Sequence, residues 1–244
     1  MRSLSAQQIL QVWEIGQRQH PLDRAMTLLS LAFPDRSLEE LSRLSIGQRD
    51  ACLLTLRELT FGPQLESLAV CPHCGEPLEF TLNVGDIRVN ELPPSEAEFD
   101  LMLEGFHLRF GTPNSQDLAA IAHAPNLETA QTQLAQRCLR QATQDGQPVD
   151  IATLPAPVLT QLANQLATYD PQAEIWLTLC CPVCDRTWQQ LFDIVSFFWA
   201  ELSTQAQRLL GEVHTLARAY GWREADILSM SSWRRRIYLE KVGS

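Results

Sequence analysis

The chain has 244 residues, of which 45% are hydrophobic and 20% charged, so it can bury a full core and hold several small domains. Its formal net charge of −10 argues against a general role on nucleic-acid backbones, which attract basic surfaces. It lacks an apolar run of about 18 residues and an N-terminal secretory signal. We therefore expect no membrane span and a cytoplasmic protein, in which thiols stay reduced.

The first 68 residues are predicted to form an N-terminal helical region. Three serines stand three residues before Gln or Glu, which is the pattern of a capping box at a helix start: Ser5, Ser37 and Ser45. The third begins the strongest predicted helix, residues 46–61, and Gly62 with Pro63 ends it.

Two Cys-x-x-Cys motifs carry the clearest chemical signal. Paired thiolates on tight turns suit a tetrahedral zinc site, and four of them leave no position open for water. Strand-like alternation flanks the motifs, which is the layout of a zinc ribbon. We predict a split ribbon, residues 69–90 plus 173–193. One structural Zn²⁺ would be bound by four cysteines: Cys71, Cys74, Cys181 and Cys184.

The separation of the motifs leaves alternatives open. Between them lie 106 residues, residues 75–180, whereas paired motifs usually lie about 15–20 residues apart. The cost of closing a loop grows only logarithmically with its length, and a folded insert reduces it. A lost or weakly occupied site and a redox pair remain alternatives. Cys180 could replace Cys181, although a buried strand thiol is the simpler interpretation, and we expect His73 to shield the metal.

Residues 91–172, which lie between the two halves of the predicted ribbon, are predicted to form an inserted lobe. Apolar residues alternate at positions 99–103 and 106–110 around Glu104-Gly105, which predicts a β-hairpin. Helices are predicted at residues 116–122, from Asn126 to about residue 142, and at residues 155–167.

Residues 194–244 are predicted to form a long helix, residues 194–220, and a helical end. Apolar residues recur at steps of four and three along this helix, and Gly221 is placed to end it. Residues 218–241, here called the tail, hold six basic and three acidic residues. Arg and aromatic residues are enriched at interfaces, which makes six residues candidates for binding a partner: Tyr220, Trp222, Trp233, Arg234, Arg235 and Tyr238. The same residues are explained equally well if the tail is a small helical cap that folds back on the long helix.

Catalytic motifs are absent from the sequence. It contains no Gly-rich phosphate loop, no His-Glu-x-x-His and no Gly-x-Ser-x-Gly, and its five histidines are scattered. The sequence therefore predicts a protein that is not an enzyme.

Three segments carry a resemblance to a known family. They are residues 44–80 with the first cysteine motif, residues 181–201 with the second, and residues 213–239. The last is the most specific, with Tyr220-Gly221-Trp222 followed by Arg235-Arg236-Ile237-Tyr238-Leu239. Together they resemble contractile-tail baseplate proteins of T-even-type phages and bacterial contractile injection systems, often labelled baseplate proteins or hub assembly chaperones.

The residue patterns predict a fold, and the resemblance implies a role. The fold would be mainly helical α+β, with the split zinc ribbon, the lobe and the long C-terminal helix. The role would be a non-enzymatic part of, or helper for, the baseplate, with hub, spike or tube-initiating proteins as partners. One alternative is a cytosolic zinc-ribbon adaptor of another complex, which would usually carry a basic ribbon face that both motifs lack here. The third option is a metalloenzyme, which needs an open ligand position.

Overall fold

The computed structural model describes residues 1–94 and 96–243 and shows the mainly helical α+β protein that the sequence predicts. The helices are α1 (Ala6–Gly16), α2 (Pro21–Ala32), α3 (Leu38–Ser42), α4 (Ile46–Phe61), α5 (Val84–Ile87), α6 (Ser115–Ile121), α7 (Leu127–Cys138), α8 (Ala156–Tyr169), α9 (Ile194–Tyr220), α10 (Glu224–Ser229) and α11 (Ser232–Val242). The strands are β1 (Gln64–Val70), β2 (Pro77–Asn83), β3 (Glu98–Leu103), β4 (Phe106–Gly111), β5 (Leu139–Gln144), β6 (Gln147–Pro148), β7 (Ile175–Cys180) and β8 (Thr187–Phe192). None of the described helices is long and apolar enough to cross a membrane.

Both ends of the chain meet in one large hydrophobic cluster around α9. The predicted bounds of α4 and α9 are confirmed, and all three predicted capping boxes form. Gly221 ends α9 in the left-handed conformation, with φ of 67°. The apolar stripe of α9 packs against α1, α2 and α4, and Leu202, Ala206 and Leu209 are fully buried there. Each buried leucine contributes about 2 kcal/mol of hydrophobic stabilisation, so α9 belongs to the same core as the N-terminal helices.

The two cysteine motifs occupy the turns of two antiparallel hairpins. The first hairpin is β1 with β2, and the second hairpin is β7 with β8. Among the described residues no ladder joins the two, so each half of the predicted split ribbon forms a two-stranded sheet of its own. The first hairpin begins at Gln64, before the predicted boundary between residues 68 and 69. Gly62 at φ 94° ends α4, and the residues of β1 then alternate between exposed and inward-facing positions.

The lobe between the hairpins has its own hydrophobic cluster. Its antiparallel sheet has the order β3-β4-β5-β6, and the apolar residues of this sheet pack against those of α7 and α8. The predicted hairpin of the lobe is confirmed as β3 and β4. The helix predicted to run to about residue 142 was too long, because α7 ends at Cys138 and the chain continues as β5. Residues 139–144 have no strong strand preference of their own, and pairing with β4 determines their conformation.

The lobe is attached at the start of α4. The N–H of Ile46 donates to the carbonyl of Pro113 (3.0 Å), and the side-chain amide of Gln48 donates to the carbonyl of Pro93 (2.7 Å). The N–H of Gly47 donates to a carboxylate oxygen of Asp170 (2.8 Å), whose side chain is fully buried. Two free N–H groups at the helix start and the side chain of Gln48 therefore bind three separate points of the lobe.

Replacing Gly47 by alanine is expected to destabilise the chain by about 2 kcal/mol, because the added methyl group would overlap with the carboxylate of Asp170. Gly211 is the matched control, since nothing lies near its Cβ position on α9. Gly211→Ala should stabilise the helix by up to about 1 kcal/mol. Urea unfolding followed by circular dichroism measures both variants, and equal stability of the two would contradict the assigned role of Asp170.

Candidate metal centre

The two cysteine motifs close their hairpins with the same backbone geometry. In each motif, the N–H of the first cysteine, Cys71 or Cys181, donates to the carbonyl five residues ahead (2.9 Å). The carbonyl of the same cysteine accepts a hydrogen bond (3.0 Å) from the N–H of the residue four positions later, which is Gly75 in the first motif and Asp185 in the second. Both of these residues have positive φ, 77° and 54°, as the tight turn requires. The two turns therefore present their thiols in equivalent ways.

The turns bring all four sulfur atoms together. The Sγ atoms of Cys71 and Cys184 lie 3.7 Å apart, and those of Cys74 and Cys181 lie 3.5 Å apart. All four sulfur atoms lie within 4.8 Å of one another. In a tetrahedron, sulfurs bound at about 2.3 Å to one zinc ion are about 3.8 Å apart. The four cysteines could thus hold one metal ion, and four thiolates suit a closed structural site.

Hydrogen bonds to sulfur act differently on the thiols of the cluster. Burial opposes ionisation of Cys71, but the N–H groups of Cys74 and His73 donate to its sulfur and lower the pKa of the thiol. At Cys74 the N–H of Glu76 acts to lower the pKa of the thiol, but hydrogen bonding between its sulfur and those of Cys181 and Cys71 raises this pKa overall. Cys138 lies inside the lobe, apart from this cluster. Burial raises the pKa of its thiol to about 12, which keeps it neutral and unreactive.

His73 and Cys180 lie beside the site without joining the cluster. Nδ1 of His73 lies 3.3 Å from a guanidinium nitrogen of Arg186, so the two turns also contact each other outside the thiols. Cys180 is exposed, whereas the simpler interpretation of the sequence placed it in the interior. The reason is the alternation of β7, which turns Leu179 inwards and Cys180 outwards.

The structure shows a longer repeat than the sequence reasoning found. Each hairpin is followed by a residue whose side chain caps the next helix: Asn83 caps α5 and Asp193 caps α9. Each cap lies nine residues after the last cysteine of its motif, and this equal spacing is the signal that could have shown the repeat. The second hairpin thus leads directly into α9, the helix at the centre of the main core.

Four of the six candidate partner-binding residues pack within the chain. The rings of Tyr220 and Trp222 stack with centroids 4.5 Å apart, and Tyr238 contacts both edge-on at 5.7 and 4.7 Å. Arg235 is buried, and its Nε donates to a carboxylate oxygen of Glu212 on α9 (2.8 Å). These contacts hold the tail against the end of α9, as expected if the tail is a helical cap that folds back on this helix.

The other two candidates face solvent. Trp233 is 70% exposed, and the guanidinium of Arg234 lies over the ring of Tyr238 at 5.8 Å. A large exposed aromatic residue beside an arginine is typical of binding surfaces. Trp233 and Arg234 are here called the exposed part of the tail.

Comparison with known families covers most of the chain. The model of the family described as T4 bacteriophage base plate protein matches residues 26–199, more than two thirds of the sequence. The match includes both cysteine motifs and the lobe, but it ends before the tail, the most specific part of the sequence resemblance. No curated protein and no solved structure matches. The family predicted from the sequence is confirmed, and the chain belongs to the family of T4 bacteriophage base plate proteins.

Proposed function

We propose that the chain is a non-enzymatic component of the baseplate of a contractile, phage-tail-like particle, or a chaperone that assembles this baseplate. The family match carries the proposal. The chemistry of the site supports it, because the one cluster of potential metal ligands among the described residues consists of four thiols. Such a set holds chains together and leaves no open position for a substrate.

The proposed role of the metal is a structural Zn²⁺ that joins the two hairpins. The first hairpin follows α4 and the second precedes α9, so a shared ion would fix the end of α4 relative to the start of α9. The lobe is an insertion: the chain enters it after the first hairpin and leaves it before the second. We therefore propose four parts: residues 1–63, 64–90 plus 173–193, 91–172 and 194–244. The first boundary lies five residues earlier than the sequence predicts, because the first hairpin begins at Gln64.

We propose that the exposed part of the tail binds a hub, spike or tube-initiating protein. Support comes from its composition, since residues 218–241 carry a net charge of +3 in a chain of −10. Acidic partners would be attracted to such a segment. Trp233 would supply the apolar anchor at its surface.

Replacing Trp233 or Arg234 by alanine is expected to weaken partner binding about tenfold while leaving the fold intact, because both side chains face solvent. Pairwise co-expression with the hub, spike and tube-initiating proteins encoded nearby, followed by co-purification, measures this. Leu127→Ala is the control, since Leu127 is similarly exposed at 73% but lies in the lobe.

Point variants are preferable to deletion of residues 213–244, which would remove buried core residues such as Val213 and Leu228. Unchanged recovery of a partner by the Trp233 and Arg234 variants would contradict the binding role of the tail. Recovery of no baseplate protein by the unaltered chain would contradict the proposed function itself and favour a zinc-ribbon adaptor of another complex.

A further inference from the structure

An open groove of about 1200 Å³ runs between the two hairpins and α9. One wall consists of consecutive residues of β1, 66–70, and the other of consecutive residues of β8, 190–192. Phe197 and Ala200 of α9 line it as well. Sites for small molecules usually have volumes of roughly 300–1000 Å³. The groove is larger than these and bounded by two strands, which suits a segment of protein chain.

The strands that form the walls have unpaired edges. In an antiparallel hairpin, the N–H and C=O groups of successive residues point alternately towards the partner strand and away from it. The hydrogen bond of Cys71 at the turn fixes this order, so the N–H and C=O groups of Glu66, Leu68 and Val70 point away from β2. The same alternation turns the N–H of Leu191 away from β7. Within the described parts of the chain, no further strand pairs with β1 or β8. Unpaired edges of this kind can accept an added strand.

The β1 edge has few of the features that normally protect an exposed edge. Proteins protect such edges with charged side chains, proline or a bulge, and residues 64–70 contain one charged residue, Glu66, but neither a proline nor a bulge. Leu68 and Val70 are instead 66% and 59% exposed, and Leu191 on the facing strand is exposed too. Apolar side chains beside free backbone groups favour a covering strand over solvent.

The charged residues that line the groove indicate which side chain an occupant would carry. Its two cations, Arg57 and Arg208, are already paired with Glu201 and Glu212. Glu66, in the wall of the groove, has no ion-pair partner among the described residues. A basic side chain on the occupant would therefore be attracted to Glu66.

We propose that this groove binds an extended segment of a partner protein, which adds as a strand to the free edge of β1. The segment carries alternating apolar residues and an Arg or Lys opposite Glu66. Backbone hydrogen bonds provide the affinity, and the alternating side chains provide the selectivity. The proposal rests on the proposed function only for the source of the segment, which would be another baseplate protein.

Selection of a displayed library of random twelve-residue peptides on the full chain tests this proposal. The enriched peptides should alternate apolar residues and carry Arg or Lys. Leu68→Pro removes an outward N–H without removing a bond between β1 and β2, and should weaken binding of these peptides about tenfold. Thr81→Pro is the matched control, because the N–H of Thr81 points outward from the opposite edge of the same hairpin and should leave binding unchanged.

A second variant keeps the backbone intact. Glu66→Lys should shift the selection towards peptides that carry Asp or Glu. Equal binding of the peptides to the Leu68→Pro variant and the unaltered chain, an unchanged selection by Glu66→Lys, or no enrichment at all would each overturn the groove proposal. None of these results affects the baseplate proposal, which depends on co-purification with baseplate proteins.

Discussion

Replacing Cys71 or Cys181 by serine is expected to abolish metal binding and to lower the melting temperature by about 10 °C. The metal would cross-link positions such as Cys74 and Cys181, which are 107 residues apart. A cross-link over a loop of this length stabilises a chain by roughly 4–5 kcal/mol. Thermal unfolding followed by circular dichroism, with metal content from mass spectrometry, measures both effects.

The helical core should survive the loss of the metal. α4 and α9 pack against each other through a cluster that does not include the four cysteines of the metal centre, so their contacts remain. The two hairpins lose their link, and amide exchange should rise in β1 and β8 while it stays low in α4 and α9. A metal that stabilises without catalysing is expected to act in this way.

Cys180→Ser is the control for this experiment. Cys180 is exposed and adjacent to Cys181, but it does not belong to the cluster of four thiols. It should leave metal content and melting temperature unchanged. Equal melting temperatures of the Cys180→Ser and Cys181→Ser variants would show that the shared metal site does not hold the hairpins together.

Replacing Arg57 by alanine is the second change with a large expected effect, a loss of about 3 kcal/mol. The side chain of Arg57 is 2% exposed. Its Nε donates to Glu201 on α9 (2.8 Å), and its guanidinium also donates to the carbonyl of Gly62 (2.6 Å). Breaking a buried ion pair costs about 3–5 kcal/mol, and the partial exposure of Glu201 places the expected loss at the lower end.

Two further arginine variants separate this role from a general effect of charge. Arg57→Lys should recover little stability, because an ammonium group cannot make both bonds to Glu201 and reach the Gly62 carbonyl. Arg43 pairs with Glu39 on the surface, and Arg43→Ala should cost less than about 0.5 kcal/mol. If urea unfolding gave the same stability for Arg57→Ala and Arg43→Ala, the buried pair would not be important for the fold.

Local signals made most helices predictable from the sequence. A capping serine begins α4, and its bounds agree with the prediction because Gly62 also marks its end. The bounds of α9 follow from its apolar stripe and from Gly221. Such signals act within one turn of the helix and need no information from distant residues.

Features that depend on distant contacts were not predictable in the same way. Residues 139–144 form β5 because β4 lies beside them, although their sequence continues the predicted helix. The convergence of the four cysteines was predictable from zinc chemistry, which limits how far the ligands can lie apart. The groove has no such constraint, since it depends on the relative orientation of two hairpins far apart in sequence. The burial of Arg235 likewise depends on Glu212, 23 residues earlier.

The central claim is that one zinc ion bound by four cysteines joins the two hairpins. X-ray absorption at the zinc edge of the purified full chain, combined with metal analysis, tests it most directly. We predict one zinc per chain, with four sulfur ligands at about 2.3 Å. A spectrum with oxygen or nitrogen among the ligands, or a folded chain that binds no zinc at all, would contradict the claim.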